Sequence, residues 1–133
     1  MILSFKPQFK QKILNGTKIH SIRLDLHQRW QAGKEIHFAT GVRTKNYDCF
    51  HLLRCQSIQK IEIEYIHKSI IDTYSYITLE GIRIKVKIDN KIIDIYQICA
   101  LSGNDGFATV QDFFICFNKD FTGVIIHWTN YKY

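Results

Sequence analysis

The strict alternation of apolar and polar residues from Ile82 to Ile88 is the feature that most restricts the fold of this chain. Isoleucine or valine fills every second position there, and arginine or lysine fills the positions between. A two-residue period places the apolar side chains on one face of a β-strand and the basic ones on a solvated face. The turn-forming sequence DNK follows at 89–91, and two isoleucines begin a return strand. The sequence therefore predicts an antiparallel hairpin within residues 74–93.

The same period recurs along the chain and predicts further strands. The expected strands lie near Ile2–Phe5, Ser21–Leu24, Ile36–Phe38, Cys49–Cys55, Ser57–His67 and Gly123–Trp128. Turn-forming residues separate them, such as the Ala-Gly pair at 32–33, and the polar segment 42–46 is expected to be a loop. About six such segments are therefore expected, in a single domain that spans residues 1–133.

Two or three short helices are expected beside these strands. The single proline, Pro7, suits the first turn of a helix that runs to about Asn15 and is capped by Gly16. A second helix is expected at 94–101, ended by a glycine, and a third at 109–118, where aromatic residues follow helical spacing. Strands that outnumber helices indicate an α+β fold, mostly β, built as a small and mostly antiparallel β-barrel covered by helices.

Composition bounds the location and the partner of the domain. Its 133 residues carry a formal net charge of +6, which favours an anionic partner, with nucleic acid first. No apolar run of membrane-spanning length is present, so no membrane association is expected. The first residues lack the apolar core of a signal peptide, and a cytoplasmic location is therefore expected.

The cysteines and histidines do not form a recognisable ligand set. The four cysteines contain no C-x-x-C pair, and the six histidines contain no H-x-x-x-H pair. Free and mostly buried thiols are therefore expected, with no metal site and no cofactor.

The stretch GTKIHSIR, directly after the first predicted helix, concentrates polar chemistry in eight residues. Ser21 and Arg23 are two apart in an extended segment, so their side chains share a face. Lys18 joins them if the loop before the strand curls back. His20 is expected to be exposed and to face away from this group.

Three stretches together resemble the ASCH domain family of the PUA-like superfamily. They are ILNGTKIHSIR at 13–23, GKEIHFATG at 33–41 and DGFATVQDFFICF at 105–117. The second departs from the family pattern, because Lys34 replaces the usual aspartate. The final GVIIHW fits the last barrel strand, so the resemblance covers nearly the whole chain, with the hairpin at 74–93 as an addition.

This resemblance implies a PUA-like antiparallel β-barrel whose cleft binds RNA or a nucleoside derivative. Some small bacterial members are amidohydrolases that remove the acetyl group from N-acetylcytidine, with a lysine, a threonine and a glutamate as the proposed catalytic set. By motif position, the lysine corresponds to Lys18, the threonine to Ser21, the acid to Asp105 and the motif arginine to Arg23. The aspartate is one carbon shorter than the usual glutamate, and Ile19 replaces a common threonine.

The chemistry of these side chains is compatible both with binding a nucleoside or RNA and with hydrolysing an amide. Arg23 offers a planar fork for a phosphate or a carbonyl oxygen. Lys18 supplies a point charge, or acts as a base on Ser21 once burial removes its proton. Asp105 then orients Lys18 or passes a proton to a leaving amine. The alternative is structural: solvated basic side chains, a serine that caps a turn, and an aspartate in a turn.

A rim for the cleft is expected in the polar segment after the strand that contains Phe38. Arg43, Lys45 and Tyr47 combine basic groups with an aromatic ring, which suits phosphate contacts and base stacking on single-stranded RNA.

Three functions follow as hypotheses. The first is a module that binds RNA or a modified nucleoside, and the second is a small amidohydrolase that deacylates N-acetylcytidine-type nucleosides. The third is a non-catalytic domain that contacts another protein.

Overall fold

A computed structural model of the chain describes residues 1–66, 77–79 and 82–133. The strands are β1 (Ile2–Ser4), β2 (His20–Arg23), β3 (Glu35–Thr40), β4 (Asp48–Arg54), β5 (Ser57–Ile66), β6 (Ile77–Leu79), β7 (Ile82–Ile88), β8 (Lys91–Ile92) and β9 (Phe121–His127). The α-helices are α1 (Lys10–Leu14), α2 (Ile95–Asn104) and α3 (Val110–Cys116). The expected α+β class with a majority of strands is confirmed.

The strands form two sheets that are not closed within the described residues. One sheet has the order β1-β3-β4, and the other has the order β2-β9-β5-β7-β6, with β8 paired to β7. The β1–β3 ladder is parallel, whereas the other described ladders are antiparallel. The mostly antiparallel arrangement agrees with the expectation, and closure into a PUA-like barrel stays a prediction.

The hairpin expected from the alternation forms at β7 and β8. Asp89 and Asn90 turn the chain with φ of +50° and +66°, as a tight hairpin turn requires. The basic face of β7 lies beside acidic residues of β5, because Glu62 pairs with Lys87 and Glu64 pairs with Lys85. Opposite charges across a ladder stabilise the pairing. The start of the predicted hairpin, 74–76, and the predicted end of β5 at residue 67 lie outside the described residues.

The helices begin close to the predicted residues, but their C-terminal ends differ from the predicted ones. A 3₁₀ turn at Pro7–Phe9 leads into α1, and Gly16 follows with φ of +80°. Asp94 caps α2 through a capping box with Gln97. This helix runs past the predicted end because Gly103 adopts helical geometry inside it. Thr109 caps α3 by accepting a hydrogen bond from the backbone N–H three residues on.

Two apolar clusters lie on the two sheets. The larger joins β2, β5, β7 and β9 to α2 and α3 and contains Ile22, Ile61, Ile63, Ile84, Val86, Ile88, Ile93, Ile98, Leu101, Phe113, Phe114 and Ile125. The smaller joins the other sheet to α1 and contains Leu3, Phe5, Ile13, Ile36, Phe38, Cys55, Ile126 and Trp128. Ile125 and Ile126 of β9 belong to different clusters, since successive strand residues face opposite sides. The strand β9 therefore connects the two cores.

Gly123 of β9 is expected to tolerate no side chain. A Cβ atom there would lie 2.6 Å from the ring of Phe121 and closer still to the backbone oxygen of Arg23 in β2. We predict that Gly123→Ala lowers the free energy of unfolding by about 1–3 kcal/mol, because a rigid backbone group must move. Urea denaturation measures this. The exposed neighbour provides the control: Thr122→Ala changes stability by about 0.5 kcal/mol or less. Equal effects of the two substitutions would contradict the packing described.

Candidate functional site

An open cleft of about 930 Å³ lies between the two sheets. Its walls come from the end of β1 and the turn that follows, from β2, from the connection between α2 and α3, and from α3. Lys18, Ser21, Arg23 and Asp105 all line it, so the structure brings together the four residues named from the family motif. A volume of this size lies in the range of roughly 300–1,000 Å³ that ligand pockets occupy.

The centre of the cleft is an ion pair between Lys18 and Asp105. The ammonium Nζ donates to Oδ1 of the carboxylate at 2.8 Å and to the backbone oxygen of the same aspartate at 2.6 Å. Both residues are almost fully buried, at 3% and 4% exposure. Burial lowers the pKa of Lys18 below its ordinary value, and the nearby carboxylate opposes part of that change.

The local structure explains why Lys18 points inward. Gly16 ends α1 with positive φ, and the next residues are tied down by backbone bonds. The amide of Lys18 donates to the oxygen of Lys12, and the amide of Ile19 donates to the oxygen of Asn104, both at 2.9 Å. The loop therefore curls back toward the end of α2, where Asp105 follows.

A second polar pair, Arg23 and Ser21, lies beside the first. Nε of Arg23 donates to Oγ of Ser21 at 2.9 Å, and Nη2 donates to the backbone oxygen of Ser4 at 2.6 Å. The predicted sharing of a strand face by Ser21 and Arg23 is thereby confirmed. Burial also lowers the pKa of Arg23, although Asp105 opposes this change.

Aromatic rings surround these cations. Nζ of Lys18 lies 5.0 Å from the ring centre of Phe9 and 5.8 Å from that of Phe5. The guanidinium carbon of Arg23 lies 5.1 Å from the Phe5 ring. Phe107 packs edge-on against Phe9, with the ring centres 5.7 Å apart. Cations over aromatic faces are attracted to them and gain order, so the donors are held in fixed positions.

Gly106 lets the loop before α3 approach this cluster. It has φ of +92°, and a Cβ atom there would lie 3.1 Å from Lys18 Cδ and 3.1 Å from Phe9 Cδ1. Its backbone oxygen accepts a hydrogen bond from Nζ of Lys12 at 2.6 Å. The Asp-Gly pair of the motif therefore serves two needs: a carboxylate and a close backbone approach.

His20 was expected to be exposed and to face away, and this is wrong. It is fully buried, and its Nδ1 lies 3.3 Å from Oδ1 of Asp105. Its Nε2 lies 2.6 Å from the hydroxyl of Tyr133. The two-residue period did carry the signal, because it places His20 on the same face as the core residue Ile22.

A second buried histidine lies behind His20. The ring of His127 is 5.4 Å from that of His20, and its Nε2 lies 3.0 Å from Oε1 of Gln59. Gln59 also donates to Oδ2 of Asp89 and to the backbone oxygen of Tyr133. These bonds fix the amide orientation, so Nε2–H of His127 is the donor. Burial lowers the pKa of His127 to about 4.

The other predicted residues lie elsewhere. Arg43, Lys45 and Tyr47 are exposed in the loop between β3 and β4 and are not among the residues that line this cleft. A rim formed by the three residues stays a prediction that this cleft does not support. The expectation of mostly buried thiols is wrong, since Cys55 is buried whereas the three other cysteines are exposed. Cys116 of α3 lines the cleft.

Comparisons of the chain with protein-family models, with curated proteins and with solved structures found no match. Among residues 1–66, 77–79 and 82–133, no group of three or more histidine, cysteine or acidic side chains is placed to hold a metal ion. Within the same residues, no helix is long and apolar enough to span a membrane.

The Lys18–Asp105 pair makes the first prediction from this site. Lys18→Met leaves a buried carboxylate without its cation and is expected to lower the free energy of unfolding by about 3–5 kcal/mol. Adding Asp105→Asn removes that charge, so the double variant is expected to be more stable than Lys18→Met alone. Urea unfolding of the single and double variants measures the coupling. Lys10→Met, in an exposed pair with Asp48, is the control and costs about 1 kcal/mol or less. Additive effects at the buried pair would contradict the assignment.

The buried His127 predicts a loss of stability in acid. Its pKa is about 4 in the folded chain and near 6.5 when unfolded, so the unfolded state binds the proton first as the pH falls. Stability is expected to decrease by up to about 3 kcal/mol between pH 6.5 and pH 4, at about 1.4 kcal/mol per unit of pKa. His127→Gln keeps a donor for Gln59 and should flatten this decrease. The exposed His27→Gln should not, and an unchanged slope in His127→Gln would refute the assignment.

Proposed function

We propose that this chain is a PUA-like domain of the ASCH type that binds RNA or a modified nucleoside in the cleft. The observation that carries this proposal is the placement of Lys18, Ser21 and Arg23 in one cleft, against the rings of Phe5 and Phe9. Nucleobases combine a flat apolar face with a polar edge, and such ligands suit aromatic walls beside hydrogen-bond donors.

The charge of the lining supports an anionic or oxygen-rich ligand. Four basic side chains and two acidic side chains line the cleft, which gives a formal charge of +2. The basic residues are Lys6, Lys12, Lys18 and Arg23, and the acidic residues are Asp105 and Asp112. Positive potential in a cleft with apolar walls attracts phosphate-bearing ligands.

The donors of the cleft retain capacity for a ligand. An ammonium has three N–H groups, and Asp105 accepts two hydrogen bonds from Lys18. A guanidinium has five N–H groups, of which Nε and one on Nη2 of Arg23 donate to Ser21 and Ser4. A carbonyl oxygen or a phosphate oxygen that enters the cleft therefore meets donors that are already oriented.

Binding is tested with a fluorescently labelled single-stranded RNA and with N-acetylcytidine. Arg23→Gln is expected to weaken binding of whichever probe binds by about tenfold or more, because it removes a charge-assisted contact. Fluorescence anisotropy measures RNA affinity, and calorimetry measures nucleoside affinity. Lys91→Gln, an equal change of charge at an exposed position of β8, is the control and should change affinity little.

RNA affinity is also expected to decrease with salt, as phosphate contacts require. If neither RNA nor N-acetylcytidine binds at low salt, the proposal is overturned. Equal losses of affinity in Arg23→Gln and Lys91→Gln would also overturn it.

A second candidate, an amidohydrolase, is favoured by one observation. Lys18, Ser21 and Asp105 converge on the cleft, and the pKa of Lys18 is lowered by burial. In this mechanism Lys18 first passes its ammonium proton to Asp105, and the neutral amine then takes a proton from a water that Ser21 positions as that water adds to the acetyl carbonyl. The C–N bond then breaks, and Asp105 gives the proton it holds to the leaving amine, which yields cytidine and acetic acid. If Ser21 adds instead of water, breaking the C–N bond releases cytidine and leaves an acetyl ester on Ser21, which a water hydrolyses to acetic acid. In the structure Ser21 accepts from Arg23 rather than from Lys18, so Lys18 has to turn toward it.

Hydrolysis is tested by following the release of cytidine from N-acetylcytidine. If the chain is an amidohydrolase, Ser21→Ala is expected to lower the rate by about 100-fold or more, since it removes the hydroxyl from the reacting centre. Ser57→Ala, a serine of β5 outside the cleft, is the matched control and should leave the rate unchanged. If RNA or the nucleoside binds and no cytidine is released, the binding function is supported and the amidohydrolase is rejected.

A further inference from the structure

The carboxylate of Asp105 lies between the side chains of Lys18 and His20, two residues apart in the chain. Nζ of Lys18 is 2.8 Å from Oδ1, and Nδ1 of His20 is 3.3 Å from the same oxygen. Lys18 makes the hydrogen bond, whereas Nδ1 of His20 has no hydrogen-bond partner among the described residues. A buried ring nitrogen without a partner, directed at a carboxylate in the cleft, calls for a functional explanation.

The proton of the His20 ring can be assigned from the other side of the ring. Asn104 donates to the hydroxyl oxygen of Tyr133 at 3.1 Å, which leaves the hydroxyl hydrogen free to point at Nε2 of His20, 2.6 Å away. A neutral imidazole carries one N–H, so an Nε2 that accepts leaves the hydrogen on Nδ1. That hydrogen faces Asp105.

We propose that His20, oriented by Tyr133, is a positioning residue that holds the carboxylate of Asp105 in place when Lys18 turns to a ligand. In the structure as it stands, Lys18 occupies Oδ1. When a ligand draws the ammonium away, Nδ1–H of His20 is the donor nearest to that oxygen. A small shift closes the hydrogen bond, and Asp105 keeps its position without its cation. The role in ligand binding rests on the proposed function, whereas the ring proton and the contact with Asp105 do not.

The surroundings of His20 keep it neutral, as this role requires. The ring is fully buried, and burial lowers its pKa despite the nearby carboxylate. The charged and titratable groups that face it are Lys18, Asp105, His127 and Tyr133. Lys18 opposes a second positive charge beside it, and the pKa of His127 is itself low. A neutral ring keeps its single hydrogen where Tyr133 directs it.

The position of the ring hydrogen is tested by nuclear magnetic resonance of the histidine ring nitrogens in the whole chain. The expected spectrum shows His20 with its hydrogen on Nδ1. In Tyr133→Phe the hydroxyl that directs Nε2 is absent, so the hydrogen is expected to move to Nε2 in part or in full. Tyr96→Phe, at a residue that is 82% exposed, is the control and should leave the spectrum of His20 unchanged. A hydrogen on Nε2 in the unaltered chain would overturn the proposal.

The replacement of Lys18 by His20 as the hydrogen-bond donor to Asp105 is tested by a double-mutant cycle without any ligand. In Lys18→Met, Nδ1 of His20 is the described donor that remains, 3.3 Å from Oδ1 of Asp105. His20→Gln removes the donor at Nδ1, whereas His20→Asn places an amide N–H near that position. We expect His20→Gln to lower the ratio of folded to unfolded protein at least about tenfold more in Lys18→Met than in the unaltered chain, and His20→Asn to restore most of that loss. Additive effects of Lys18→Met and His20→Gln would refute the role.

The ring spectrum and the double-mutant cycle test the role of His20 independently of the proposed binding function. If neither RNA nor N-acetylcytidine binds, the proposed function fails while the ring spectrum and the cycle still decide whether His20 holds Asp105. If Lys18→Met does not fold, the ring spectrum decides, since it uses only the unaltered chain and tyrosine variants. If a probe binds and the cycle is additive, the cleft functions without His20, and the inference is rejected.

Discussion

The structure around the cleft depends on one buried ion pair, Lys18 with Asp105. These residues are 87 positions apart in the sequence, and their contact joins the loop after α1 to the end of α2. Gly106 has a φ of +92°, and a Cβ atom there would lie 3.1 Å from side-chain atoms of both Lys18 and Phe9, which is tighter than ordinary contact. Lys12 donates to the oxygen of the same glycine, so the loop is held from two sides. The pair thus fixes where the cleft opens and which groups line it.

Stability alone is a poor reason to bury such a pair. Removing two charges from water costs several kcal/mol, and well-packed apolar residues often replace a buried pair with no loss of stability. Here the pair lies at the wall of an open cleft, beside a second cation, Arg23, and a hydroxyl, Ser21. A donor that is already held in the cleft, such as the guanidinium of Arg23, needs little rearrangement to bind a ligand. The proposed binding function therefore accounts for the desolvation cost better than the needs of the fold do.

The strands could be predicted from the sequence because their signal is local. The buried contacts of His20 behind the cleft could not be predicted. Alternation over β5 and β7 depends on neighbouring residues, so periodicity finds both strands. The likeness to a family motif named Lys18 and Asp105 together, although no local pattern links residues so far apart. His20 and Tyr133 are 113 positions apart, and no short motif contains both. The alternation that places His20 on the core face was the available signal, but it does not say which polar groups a buried histidine meets.

The cleft exists because the two sheets do not join at β1 and β2. Each of these strands is the end of its sheet in the described residues. Where a backbone ladder would close the seam, the side chain of Arg23 crosses it and donates to the oxygen of Ser4. A side-chain bridge holds two edges farther apart than the spacing of about 4.8 Å between paired strands. The gap leaves room for the aromatic ring of Phe5 and for a ligand. Under the proposed function, the guanidinium that spans the seam is also a donor to the ligand, so the element that keeps the sheets apart contributes to the proposed binding surface.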